Sequence, residues 1–137
     1  MTKKVVVSAG IVISNRKKLF VRAREDDTFM SPGGKPEAGE TPFETLQREL
    51  REELNIHVTE NDVEYIGEVT SVAFGRYVGK ILLMHCYIIN SYSGTLHRSA
   101  EISELVWMDS KDISARRVAP IESESIIPLL VERDLIS

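Results

Sequence analysis

The chain has 137 residues, 42% of them hydrophobic and 28% charged, which is the size and balance of one domain spanning residues 1–137 rather than of two. Against 21 Asp and Glu stand 17 Lys and Arg, a net charge of −4 that leaves no broad basic surface to hold duplex nucleic acid by its phosphates. The longest apolar runs, beginning at Val5 and at Ile81, are too short or too broken by Asn, Ser, Gly and His to supply the roughly 20 apolar residues of a membrane helix, so no membrane partner is expected.

The opening MTKKVVVSAGIVIS has a basic start and an apolar run, but NRKK follows at once without a small-residue cleavage pattern, so it reads as a first strand and not as a signal peptide. The Val- and Ile-rich run, the turn-like SNRKK and the alternation in LFVRAR predict a hairpin of strands 4–13 and 18–24. In its second strand Phe20, Arg22 and Arg24 share one face, opposite Leu19, Val21 and Ala23. Residues 25–40 hold three glycines and two prolines and read as loop. A helix is predicted over 42–54, with Thr41 as N-cap, Pro42 at the first helical position, Glu44 closing a capping box and Asn55 as the left-handed stop. Segments 63–74 and 80–90 read as strands joined by GRYVG, followed by a turn at SYSG and a short strand LVWMD. The last element is a helix over about 120–134, which Pro128 should kink or split. Strands and helices interleave, which predicts an α/β layered domain with a mixed sheet. The single cysteine, Cys86, cannot form an intrachain disulfide, which fits a reducing, cytoplasmic setting.

Wound at about 100° per residue, the 42–54 helix gathers Phe43, Leu46, Leu50 and Leu54 into a stripe about 80° wide that faces the core. Glu49, Glu52 and Glu53 lie within about 100° of one another, where like charges repel, and Glu49 and Glu53 border the apolar stripe. A solvated charged face would account for Arg48 and Glu52 as an i,i+4 pair. It does not account for the loop SPGGKPEAGE, which runs into the helix and adds a further acid, Glu40. Several carboxylates together with substrate phosphate oxygens are what a hard divalent cation such as Mg²⁺ requires. Residues 37–53 carry six of the 21 acids against Arg48 and Arg51, so the net charge is concentrated here and the remaining acids and bases balance.

From Gly34 to Ile56 the stretch GKPEAGETPFETLQRELREELNI resembles the Nudix box, with Gly34, Glu40, Arg48, Glu49, Leu50, Glu52, Glu53 and Ile56 in its pattern and Asn55 where the family has glycine. Matching the six fixed Gly, Glu and Arg positions by chance has odds on the order of 10⁻⁵ for a chain of this length. The resemblance implies a Nudix-like α/β/α sandwich and a metal-dependent hydrolase acting on a nucleoside diphosphate linked to another group. It implies Mg²⁺ as cofactor, with Mn²⁺ as the alternative, and Glu52 and Glu53 as metal ligands, joined by the carbonyl of Gly33. Glu49 is then either a further ligand or the base acting on water, and Arg48 holds a glutamate in orientation. By resemblance to MutT-type members, Glu101 is a loop glutamate reaching the metal or water; a solvated loop acid and Glu104 are the competing assignments. Arg22 and Arg24 are candidates for substrate phosphates or surface charges, and Lys35, next to the two glycines, for phosphate contact.

His57, His85 and His97 have no His or Cys at zinc-ligand spacing. A MutT-like reading makes the substrate a nucleoside triphosphate, such as an oxidised purine, cleaved to monophosphate and pyrophosphate by a monomer or homodimer. By the same resemblance ADP-ribose hydrolysis is disfavoured, since that subfamily usually carries a proline beyond its box and none lies between Pro42 and Pro120. Dinucleoside polyphosphates and RNA 5′ ends remain as alternatives, as does a non-catalytic nucleotide-binding regulator. Base choice should fall to the first strand, the 72–80 turn and RRVAPIESES, where Glu122 is a candidate contact.

Overall fold

The computed structural model describes residues 3–72 and 79–137. Strands β1 (Lys4–Ser14) and β2 (Lys17–Ala23) form the expected hairpin, one residue longer at the start of β2 and one shorter at its end, so Arg24 follows the strand. Its turn places both Asn15 (φ 52°) and Arg16 (φ 61°) in the left-handed region, as a two-residue hairpin connection demands. Arg16 is held there by its guanidinium, which donates to the Asp134 carboxylate at 2.8 Å and to the Asp134 carbonyl at 3.0 Å. Helix α1 (Pro42–Leu54) follows β3 (Gly33–Gly34), and then come β4 (Val63–Val72), β5 (Ile81–Ile89), β6 (Ile102–Met108) and the single turn α2 (Ser110–Ile113).

The strands make one mixed sheet in the order β4-β5-β1-β2-β6, with β3 on β1. β1 runs parallel to β5 from Lys4↔Ile81 to Val12↔Ile89, and the other pairings are antiparallel. Two apolar cores lie on its two faces. One joins Leu46, Leu50 and Leu54 of α1 to Val12, Leu19, Val21 and Ile89. The other joins Val5, Val7 and Phe20 to Ile121, Ile126 and Leu130 of the C-terminal helical segment. This is the α/β/α sandwich the box implied. The alternation expected in β2 is its cause, because Phe20 and Leu19 are both fully buried, one in each core.

Three elements differ from expectation. The Gly33–Gly34 pair was expected in a loop but makes a two-residue ladder with Ser8 and Ala9, which glycines without side chains could not announce by alternation. The strand around Trp107 starts earlier, at Ile102, because it pairs along β2 from Lys18↔Met108 to Ala23↔Ile102. The C-terminal helical segment, residues 120–132, is neither split nor stopped at Pro128. A π turn over Glu122–Ile126 precedes α3 (Ile127–Glu132), and the Ile127 N–H reaches back to the Glu122 carbonyl. Widening that turn relieves the preceding carbonyls of the proline ring, which an α-helical path would drive into them. The end of the predicted 63–74 strand and most of GRYVG lie outside the described residues.

Candidate active site

The capping box of α1 is formed as the sequence predicted: Thr41 Oγ1 accepts from the Glu44 amide at 3.1 Å and the Glu44 carboxylate accepts from the Thr41 amide at 2.9 Å. Asn55 closes the helix at φ 58° and ψ 34°. With Leu46, Leu50 and Leu54 sealed into the core, the rotation of α1 is set, and Glu49 and Glu53 turn towards the glycine ladder. There the Gly33 N–H donates to Glu53 Oε1 at 2.7 Å.

Gly33 is needed for this approach, and Gly34 leaves room for the Glu49 carboxylate. Gly33 has φ +148°, and a Cβ on it would lie 1.9 Å from the Ser8 carbonyl oxygen; a Cβ on Gly34 would lie 2.6 Å from the Glu49 carboxyl carbon. Gly33→Ala is therefore expected to destabilise the protein by more than about 2 kcal/mol in urea unfolding. Gly39→Ala, at φ +82° with open space around it, should cost only about 1 kcal/mol. Equal midpoints for the two variants would mean that the β1–β3 approach is not the constraint.

Arg48 ties the cluster together. Its guanidinium donates to both Glu40 oxygens at 2.7 and 3.1 Å, to Glu49 at 2.8 Å, to Glu52 at 3.2 Å and to the Lys35 carbonyl at 2.9 Å. The Arg48 hydrogen bonds pull the Glu40 carboxyl down to about 2. Burial pushes Glu49 above the usual carboxylate range, against the opposing pull of Arg48. Glu53 is pushed up to about 8, first by burial and then by the charges of Glu49, Glu101 and Glu52, with only the Gly33 N–H opposing.

These groups open on a cavity of about 990 Å³. Its charged part is Glu49, Glu53, Glu101, Arg24, Lys35 and Glu37; its apolar part, drawn from the core under the C-terminal helical segment, is Val7, Met30, Leu82, Met84, Ala119 and Ile121. Of the residues singled out in the sequence, Gly33, Arg48, Glu49, Glu53, Glu101, Arg24 and Lys35 line this one space. Glu52 stands beside it, about half exposed and paired to Arg48. Arg22 does not line it: its guanidinium holds Glu104 at 3.0 Å and the Asp26 carbonyl at 2.9 Å. Glu104 is thereby taken up outside the cavity, which leaves Glu101 as the loop acid facing Glu53.

Among the described residues no three His, Cys, Asp or Glu side chains are gathered closely enough to ligate an ion. The donor set nonetheless suits a hard cation in kind, because a buried carboxylate repelled by three others lacks the positive charge that would relieve it. Glu53, Glu52, Glu49 and the Gly33 carbonyl are the groups that would hold it.

Glu122, expected as a candidate base contact, does not line the cavity: it is fully buried behind the apolar part, with a partner that the sequence left unidentified. Lys18 and Glu122, both without any exposed surface, form an ion pair at 3.2 Å beneath Ser31. Burial pulls the Lys18 ammonium below its usual range, against the attraction of Glu122. A lysine inside the apolar alternation of β2 was the available signal.

A model of the NUDIX domain matches residues 4–130, and the chain belongs to the Nudix hydrolase family. It is 31% identical over 138 residues to the 8-oxo-dGTP diphosphatase of Haemophilus influenzae, covering 96% of each chain. It is also 31% identical over 132 residues to the CTP pyrophosphohydrolase of Escherichia coli, covering 93% of this chain and 90% of that one. The solution structure of the E. coli ORF135 protein superposes with a TM-score of 0.75 at 27% identity, over 96% of this chain and 92% of that one. The protein is thus a MutT-like Nudix hydrolase with pyrophosphohydrolase activity on a nucleotide.

Proposed function

We propose that the protein hydrolyses a nucleoside triphosphate to the monophosphate and pyrophosphate, with Mg²⁺ as cofactor and Mn²⁺ as substitute. The observation that carries this reading is one cavity whose lining has both a charged and an apolar part, which suits a ligand that is polyanionic at one end and a flat ring at the other. The two relatives of nearly full length are named for 8-oxo-dGTP and CTP, both nucleoside triphosphates, which supports the class and admits an oxidised purine as one substrate.

In this reading Lys35 and Arg24 meet the phosphates, Glu52, Glu53 and the Gly33 carbonyl hold the cation, and Glu49 either joins them as a ligand or acts as the base. Bound there, the cation acidifies the attacking water and neutralises charge on the phosphate oxygens. Water attacks one phosphorus of the α–β bridge and the bridging P–O bond breaks: attack at α expels pyrophosphate, attack at β expels the monophosphate, and the two products are the same. The water's proton passes to Glu49 or Glu101. Burial, by raising Glu49, brings its basicity closer to what a base working near neutrality needs. Arg48 keeps Glu49 and Glu52 in place throughout. The reading extends to a cytoplasmic monomer or homodimer without stable affinity for duplex nucleic acid.

Incubation with Mg²⁺ and a nucleotide panel, with products resolved by phosphorus NMR, should give monophosphate plus pyrophosphate from at least one triphosphate. Turnover confined to ADP-ribose, yielding AMP and ribose 5-phosphate, would refute the triphosphate assignment. Tight nucleotide binding with no hydrolysis of any substrate would point to a regulator instead.

A further inference from the structure

We propose that the buried Lys18–Glu122 pair is a positioning device that holds Ser31 as a hydrogen-bond acceptor in the apolar part of the cavity, so that this part selects bases presenting an N–H donor. The inference rests on the reading that a nucleotide base occupies that part.

Lys18 Nζ lies 3.2 Å from Glu122 Oε1 and donates to the Leu19 carbonyl at 3.0 Å, while its charge sits 3.9 Å from the centre of the Phe20 ring. Glu122, the first residue of the π turn, accepts from the Ser31 amide through Oε2 at 3.3 Å. Its two oxygens also lie 3.0 and 2.9 Å from the Ser31 hydroxyl. The ammonium and the amide can only donate, so each oxygen of the ion-paired carboxylate accepts from one of them. The Ser31 hydroxyl must therefore donate to Glu122. A serine hydroxyl has one proton and two lone pairs, so towards any further partner Ser31 Oγ can only accept.

Ser31 is 5% exposed and lines the cavity. Ser8, the other serine of the lining, likewise commits its proton, to the Pro42 carbonyl at 2.8 Å. Val7, Ala9, Met30, Leu82 and Met84 carry no side-chain donor. A base amino group placed here meets an acceptor, whereas a base lacking it leaves a desolvated oxygen without a partner. An ion pair removed from water adds little net stability over apolar residues of the same volume. Orientation of Ser31 gives this one a role that packing alone does not.

The test compares triphosphates of cytosine, guanine and adenine, each against its analogue with hydrogen in place of the amino group. It uses the wild type, Ser31→Ala and the double variant Lys18→Met with Glu122→Gln. The glutamine keeps the hydrogen bond but can itself donate to Ser31 Oγ, which frees the hydroxyl proton for the cavity. The wild type should favour the amino base in kcat/KM by about tenfold or more in at least one pair. In both variants that ratio should fall to within about threefold, through KM rather than kcat, since the phosphate end is untouched. A wild type without preference, or folded variants that keep the wild-type ratio, would overturn the proposal. If the double variant does not fold, Ser31→Ala alone decides. Should the wild type hydrolyse no triphosphate, the functional reading fails and the same base pairs are compared as nucleosides by calorimetric binding: a preference lost in Ser31→Ala sustains the inference, and equal or absent binding refutes it.

Discussion

Glu53→Gln is expected to lower nucleotide hydrolysis by about 10³-fold or more while stabilising the metal-free protein, and both effects come from the same buried charge. Unfolded, the carboxyl titrates near 4.5; folded, it is pushed up to about 8. Below pH 4.5 it is protonated in both states and costs nothing. Between 4.5 and 8 the folded state holds a proton that the unfolded state has released, so stability falls as pH rises. Above about 8 the whole penalty is present. Glutamine has the same shape, can still accept the Gly33 N–H, and carries no charge. The melting temperature of the variant should therefore exceed that of the wild type by a margin that widens from pH 4.5 to pH 8 in metal-free calorimetry. Added Mg²⁺ should raise the wild type's melting temperature and leave the variant's unchanged. Wild-type turnover in the variant, or a margin that does not depend on pH, would remove Glu53 from the metal site.

Lys18→Met should be among the most destabilising single changes in the molecule, by about 3–5 kcal/mol, because it leaves the Glu122 carboxylate buried without its counter-ion. Adding Glu122→Gln should recover most of that loss, since the remaining Ser31 hydrogen bonds need no charge. Urea unfolding of the two single variants and the double one closes the cycle. Additive losses would show that the two groups do not depend on each other. The pair ties β2 to the π turn, two elements about a hundred residues apart, so its stability effect is separate from any change in base choice.

Much of the charged part of the cavity was legible in the sequence because its components are local. The Thr41 cap, the leucine stripe and the Asn55 stop fix where α1 begins, how it is rotated and where it ends, and Glu49 and Glu53 follow from that rotation. Arg22 shows the limit of such reading. It shares a strand face with Phe20 as expected, but whether it meets a phosphate depends on Glu104, which only the β2–β6 pairing brings opposite it. Arg24, next along the chain, does line the cavity.

The class of the domain, the helix that carries the acids and the glycine pair that meets them could be read without a structure, because those signals act within about one helical turn or one hairpin of each residue. Folding alone brings Glu101 and not Glu104 to face Glu53, and sets Val7, Met30 and Met84 in the wall of the same cavity. It also decided that Lys18 and Glu122 meet out of water behind Ser31. In the sequence Glu122 read as a candidate base contact, and nothing linked it to Lys18. Their burial follows from the packing of the C-terminal helical segment, with its π turn, over the Phe20 face of the sheet, and contacts made across such distances leave no periodicity for a single sequence to show.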